Sequence, residues 1–136
     1  MSFHLDTNAV IGVLNGRPAA FRERYERVRT SEDVFLSSVA VFELWYGLAR
    51  SARFEQNVGA LRRFLGTLTD VIPFTDEDAV IAGEIRATLK KAGTPIGPYD
   101  LLIAAQAVRN NATLVTANIK EFSRVPGLDW QDWSKD

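Results

Sequence analysis

Carboxylates dominate the chemistry open to this chain. Asp6 stands directly behind the apolar tripeptide at residues 3–5. Glu43 interrupts an apolar stretch that runs from Val39 to Tyr46. Asp100 follows Gly97, Pro98 and Tyr99, while Asn118 and Glu121 come just after the run Thr113, Leu114, Val115, Thr116. Across 136 residues there is no cysteine and a single histidine, His4. A disulfide framework, a thiolate zinc site and a cysteine nucleophile are therefore excluded. Two-histidine zinc motifs are excluded as well. A serine–histidine triad would have to run through His4, which lies inside an expected strand and reads as structural.

Carboxylates gathered in one place repel one another and raise each other's pKa unless a cation neutralises them. No lysine or arginine stands beside Asp6, Glu43 or Asp100 in the sequence. An oxygen-only cluster suits a hard cation, Mg2+ or Mn2+, which binds through one or two carboxylates, water and substrate phosphate. Such an ion lowers the pKa of bound water and stabilises charge on a phosphodiester under in-line attack.

Each acid also has an ordinary reading. Asp6 is a good N-cap, and Asp100 is a first-turn acid favoured by the helix dipole. Glu43 is harder to explain that way, because its helix is apolar nearly all round. A carboxylate there is either desolvated at a cost or faces a cavity with a partner. Its helical neighbours Ala40 and Gly47 are small and leave room beside it.

The elements that must position these residues can be read from periodicity and capping. Residues 3–5 form a short strand, and Asp6, Thr7 and Asn8 are helix-capping types before the apolar run 9–14, which Asn15 and Gly16 stop. Pro18 suits the first turn of a second helix carrying Phe21, Tyr25 and Val28 at i, i+4 and i+7. Residues 34–36 are a strand, and Ser37 or Ser38 caps a helix to about Arg50. Residues 55–68 read as a helix on Val58, Leu61, Leu65 and Leu68. Residues 71–74 are a third strand, which Pro73 assigns to a sheet edge. Thr75 or Asp76 opens a long helix that Gly93 ends. Gly97 and Pro98 start another, to about Val108, and residues 113–116 are a fourth strand. Short apolar strands alternating with helices give an α/β domain over residues 1–136, with a mainly parallel central sheet flanked by helices. In such a sheet each helix starts at the strand's C-terminal edge, where ligands bind near a topological switch point. Asp6, Glu43, Asp100, Asn118 and Glu121 all map to that edge.

Composition narrows the class further. The chain is 46% hydrophobic and 24% charged, average for a globular domain, with a net charge of −1 and so no global basic field. Its start lacks a secretory signal and no apolar run approaches the roughly 20 residues that span a bilayer, so a cytoplasmic protein without membrane contact is expected. Three basic groups are available to a phosphate backbone: Arg22, Arg24, Arg27 and Arg29; Arg50, Arg53, Arg62 and Arg63; Arg86, Lys90 and Lys91. For any single group, a solvated helix face is the commoner reading. Trp45 and Tyr46 could stack on bases, sit in a subunit interface or pack in the core, and Trp130 and Trp133 are expected to cover a core edge.

Four segments in order now resemble the PIN-domain ribonucleases, and within them the VapC-type toxins of bacterial toxin–antitoxin pairs. They are Leu5-Asp6-Thr7-Asn8, the stretch from Ser38 to Gly47, the stretch from Pro98 to Ala105, and Leu114 to Asn118; the likeness continues through residues 122–128. The resemblance implies a Mg2+-dependent endoribonuclease that cuts cellular RNA, is neutralised by a cognate VapB-like antitoxin, and forms a homodimer. It makes Asp6, Glu43 and Asp100 the catalytic, metal-binding acids and has Thr7 support Asp6 by hydrogen bonding. The family commonly carries a fourth acid where this chain has Asn118, leaving Asn118 and Glu121 as candidates to complete the metal site. Other readings are a non-catalytic PIN-like binding module and an RNA-processing PIN nuclease outside a toxin–antitoxin pair. A phosphatase of the haloacid dehalogenase type needs Asp-x-Asp, and Asp6-Thr7-Asn8 lacks the second acid. A phospho-receiver domain needs an acidic pair near its first strand, where His4-Leu5-Asp6 offers one.

Overall fold

The computed structural model describes residues 1–135; Asp136, the last residue of the expected domain, lies outside the described residues. The elements in chain order are β1 (Ser2–Leu5), α1 (Thr7–Asn15), α2 (Ala19–Val28), β2 (Asp33–Ser37), α3 (Ser38–Ala49), α4 (Phe54–Leu65), β3 (Asp70–Ile72), α5 (Asp76–Lys91), α6 (Pro98–Arg109), β4 (Thr113–Val115), α7 (Ile119–Phe122) and β5 (Asp129–Gln131). The strands form one sheet in the order β3-β2-β1-β4-β5, every pair parallel. The chain starts in the middle at β1, builds outward through β2 and β3, then returns to the other side of β1 for β4 and β5. The switch point therefore lies between β1 and β4, and Asp6 follows β1 directly.

The sheet centre is dry. Leu5, Leu36, Leu114 and Val115 are fully buried, from β1, β2 and β4. Each such side chain contributes roughly 1.5–3 kcal/mol of hydrophobic free energy relative to exposure. Parallel strands covered by helices on both faces read as continuous apolar runs, which is how the sequence presents them.

Helix ends follow the expected capping chemistry. The Asp6 carboxylate caps α1 by accepting from the Ala9 amide at 2.7 Å, and Gly16 closes that helix in the left-handed region at φ 63°. Ser37 caps α3 through the Val39 amide at 3.0 Å. Thr75 and Asp78 form a capping box at the start of α5. The buried Asp78 carboxylate also takes the Arg109 guanidinium from the last turn of α6, so the start of α5 is tied to the end of α6. Burial works against the Asp78 charge, yet the Arg109 and Thr75 donors together hold its carboxyl below the usual range. Gln106, also buried, donates to the Pro73 carbonyl at 2.9 Å and fixes α6 beside the edge strand β3.

Three expectations are corrected. The sheet has a fifth strand, β5, where the sequence offers only a three-residue segment with a half-exposed pattern. Helix α4 ends at Leu65 rather than at residue 68, because Gly66 begins a turn and Leu68 packs against the core from outside the helix. Of the two C-terminal tryptophans only Trp133 covers the core, being fully buried against Phe3, whereas Trp130 stays 37% exposed on the edge strand β5. His4 lies in β1, the expected strand, and is buried there; desolvation pushes its pKa down to about 4, so it is neutral at pH 7.

Candidate active site

Strand register accounts for the floor of the site. Leu5 stands opposite Val115, and Val115 opposite Gln131. One residue further on, where the strands end, Asp6, Thr116 and Asp132 follow side by side. The Asp6 amide donates to the Val115 carbonyl and the Thr116 amide to the Gln131 carbonyl, both at 3.0 Å, which holds this register up to the sheet's C-terminal edge. Asp6 is buried and is fixed by two donors, the Ala9 amide and the Thr116 hydroxyl.

The remaining acids arrive from three helices. Glu43 lies in the second turn of α3, half-buried, and accepts a 2.7 Å hydrogen bond from the Thr7 hydroxyl. Thr7 thus supports Glu43; the expected bond to Asp6 is not made, because Thr7 already belongs to α1 while the Asp6 side chain turns back to cap it. Asp100 lies in the first turn of α6, behind Pro98, with Gly97 as N-cap. A Cβ at Gly97 would stand 3.3 Å from the Asp100 carboxylate, so glycine leaves that oxygen room. Residues 119–122 make the helical turn α7, which brings Glu121 back toward the edge, where its carboxylate accepts from the Asn118 amide group at 3.1 Å. Glu121 thus engages Asn118, while Arg124 turns away to the Pro95 carbonyl.

The electrostatics show that these acids form one cluster. Burial pushes Asp6 up to about 6, against the Thr116 and Ala9 hydrogen bonds, and the charges of Glu43 and Asp132 add to the rise. Burial likewise pushes Asp100 up to about 6, with the charges of Glu43, Asp6 and Glu121 adding to it. Glu121 adds to the rise at Asp100 by hydrogen bonding as well as by its charge. The charged groups acting on both aspartates are other carboxylates.

Among the described residues, no three histidine, aspartate or glutamate side chains close tightly enough on one point to hold an ion unaided. The donor chemistry nevertheless fits a hard cation that keeps most of its water and takes one or two carboxylates. Oxygen donors that lose solvation and repel one another are stabilised by a cation's arrival.

Sequence reasoning missed Thr116 as a partner of Asp6, and Asp132 as a fifth charge beside it. Thr116 ends the expected fourth strand, where strand parity puts it level with Asp6. Asp132 was out of reach because β5 went unrecognised. The basic groups are partly committed elsewhere: Arg22 donates to the Val13 and Leu14 carbonyls at the end of α1, Arg24 stacks on Trp133, and Arg62 lies over Trp45 at 5.3 Å. Trp45 is half-buried against the core, whereas Tyr46 is exposed with the Arg50 guanidinium 4.9 Å from its ring. Among the described residues no helix is long and apolar enough to cross a membrane.

The PIN domain family matches residues 4–128. Ribonuclease VapC2 of Rickettsia felis is 39% identical over 135 residues, which is 99% of this chain and 100% of that protein. The tRNA(fMet)-specific endonuclease VapC of Salmonella typhimurium is 38% identical over 133 residues, 98% of each chain. In the crystal structure of VapBC2 from Rickettsia felis bound to a promoter DNA fragment, one chain matches this fold with a TM-score of 0.92 and 38% identity. That match covers 98% of this chain and 99% of that one. By sequence and by fold, this chain belongs to the PIN-domain family, in its VapC branch.

Proposed function

We propose that the chain is a Mg2+- or Mn2+-dependent endoribonuclease toxin held in check by a cognate VapB-like antitoxin. The observation that carries the reading is the convergence of Asp6, Glu43, Asp100 and Glu121, from four separate segments, on the sheet edge at the β1/β4 switch point. Asp6, Glu43 and Asp100 would hold the ion, with Glu121 and Asn118 beside them. When bound, the ion supplies a positive charge against the phosphodiester and a water of lowered pKa.

The chain's own residues do the positioning. Thr116 and the Ala9 amide orient Asp6, Thr7 orients Glu43, and Asn118 orients Glu121. The same concentration of negative charge favours an antitoxin that presents a guanidinium, which binds carboxylates bidentately and competes with the ion.

The Salmonella relative makes tRNA(fMet) the first substrate to test. The purified chain is expected to cleave it in Mg2+ or Mn2+, to stop in EDTA, and to resume when the ion is restored. Cleavage that persists in EDTA would overturn the metal-dependent reading.

The place of Glu121 is separately testable. A carboxylate binds a hard cation more strongly than the neutral amide oxygen of Asn118 does. Glu121→Gln is expected to raise the Mg2+ concentration needed for half-maximal cleavage, and adding Asn118→Asp to offset part of that rise. An unchanged Mg2+ titration in Glu121→Gln would reduce the site to Asp6, Glu43 and Asp100.

A further inference from the structure

The cleft beside the acids is lined by aromatic rings. It encloses about 590 Å3 and brings Thr7 and Glu43 together with Phe42, Tyr46, Arg50 and Tyr99. Phe42 and Tyr99 each precede an acid of the cluster, Glu43 on α3 and Asp100 on α6. Consecutive positions on a helix point about 100° apart, so when the acid turns toward the sheet edge the aromatic turns outward beside it. The two rings meet edge to face at 5.5 Å between centroids, yet they remain 51% and 45% exposed. Ile11, Phe42, Tyr46 and Tyr99 are half of the large apolar side chains left exposed among the described residues, and all four line this cleft.

Arg50 is the only cation lining the cleft among the described residues, and its guanidinium lies over the Tyr46 ring at 4.9 Å. Next to a carboxylate cluster, an exposed guanidinium and open aromatic faces match the two parts of a nucleotide. The guanidinium suits a phosphate and the rings suit a base.

We propose that Phe42 and Tyr99 are the stacking platform for an unpaired base adjoining the scissile phosphodiester, with Arg50 holding a neighbouring phosphate. The inference rests on the ribonuclease reading and deepens it, since it names the side chains that would seat the substrate beside the acids. An edge-to-face pair leaves ring surface free for a third aromatic plane, and a base inside a duplex cannot reach it. A base on such a platform is sequence-tolerant, because every base has a π-face.

The test uses a ten-nucleotide single-stranded RNA, the same strand in a blunt duplex, and single-strand versions carrying one abasic nucleotide beside the cleavage site. Phe42→Ala and Tyr99→Ala are expected to raise KM for the single strand about ten-fold with kcat little changed, in line with the loss of one base stack. Tyr99→Phe, which keeps the ring, restores the wild-type KM. On the abasic strand the Tyr99→Ala penalty disappears. Arg50→Gln lowers the salt dependence of binding by about one phosphate contact.

An unchanged KM in both alanine variants overturns the proposal, as does a kcat loss at constant KM, which would mean that the rings only hold the acids in place. A shift of the alanine variants to a smaller species in sedimentation also overturns it, because the rings would then be a subunit interface. Should the wild-type chain cleave no RNA at all, the ribonuclease reading itself fails, which is a different result from any of these.

Discussion

Replacing Asp6 by asparagine lowers RNA cleavage by at least roughly 100-fold and raises the melting temperature of the metal-free protein at pH 7. The two effects have one cause. Asp6 accepts from the Ala9 amide and caps α1, and an asparagine oxygen can take that bond with equal capping strength. What the substitution removes is the buried negative charge. Burial, with the neighbouring Glu43 and Asp132 charges, raises the Asp6 carboxyl from 3.8 to about 6 in the fold. An unfolded chain releases that proton near pH 4, while the folded chain keeps it until about pH 6. Stability therefore falls as pH rises through this window and stays lowered above it. Asparagine has no proton to lose, so the variant melts above wild type at pH 7, and the difference closes near pH 4. Asp100→Asn follows the same pattern, with the same loss of activity and a smaller stability gain, since Asp100 is only half-buried. Glu43→Gln is expected to lose activity comparably while its side-chain oxygen still accepts from Thr7. Mg2+ should stabilise wild type more than any of the three variants. Full activity in a folded variant would remove that residue from the site. An Asp6→Asn protein that melts below wild type at pH 7 would show that no uncompensated charge is buried there.

How much of this was legible in the sequence depended on whether an element announces itself locally. β1, β2 and β4 are buried on both faces, so each appears as a continuous apolar run ending at a capping residue, and Asp6 could be placed from that alone. Thr75 before three acids, and Gly93 after the last apolar position, marked both ends of α5. β5 has no such mark: it is three residues long at a sheet edge, with two of them exposed, and its pairing with β4 is set by tertiary contacts. Losing β5 meant losing Asp132. The Thr7 partner was misread for a different reason, because capping geometry spends the Asp6 oxygen on a local backbone amide and leaves the Thr7 hydroxyl to a residue 36 positions away. Glu43 stands out in the sequence as a carboxylate in an almost wholly apolar helix, but much of that apolar surface is an exposed wall of the cleft. Apolar composition alone does not say whether a face is covered by the fold or kept open.

Trp133→Ala is expected to cost about 3–5 kcal/mol, the usual range for deleting a large aromatic from a core. Trp133 is fully buried, stands edge to face with Phe3 at 5.3 Å, and donates its indole N–H to Gln131 at 3.0 Å. Arg24 of α2 covers its ring at 5.6 Å and also reaches Gln131, so the residue pins β5 and the C-terminal segment to both β1 and α2. Removing it leaves a cavity under the edge strand and frees a polar contact at the same point. Domains of this size are stable by only about 5–15 kcal/mol in total, so the variant should melt roughly 10 °C or more below wild type. Trp133→Phe keeps most of the volume and the contact with Phe3 and loses only the indole N–H, so it should cost about 1–2 kcal/mol. Urea denaturation of the three proteins measures both values. A Trp133→Ala loss below about 1 kcal/mol would mean that the C-terminal segment is not part of the cooperative core. Asp132 adjoins this tryptophan and bears electrostatically on Asp6, so freeing the segment also relaxes one repulsive neighbour of the active site. Well below its melting temperature, Trp133→Ala should therefore keep its cleavage activity, because Asp6, Glu43 and Asp100 are held by α1, α3 and α6 rather than by β5.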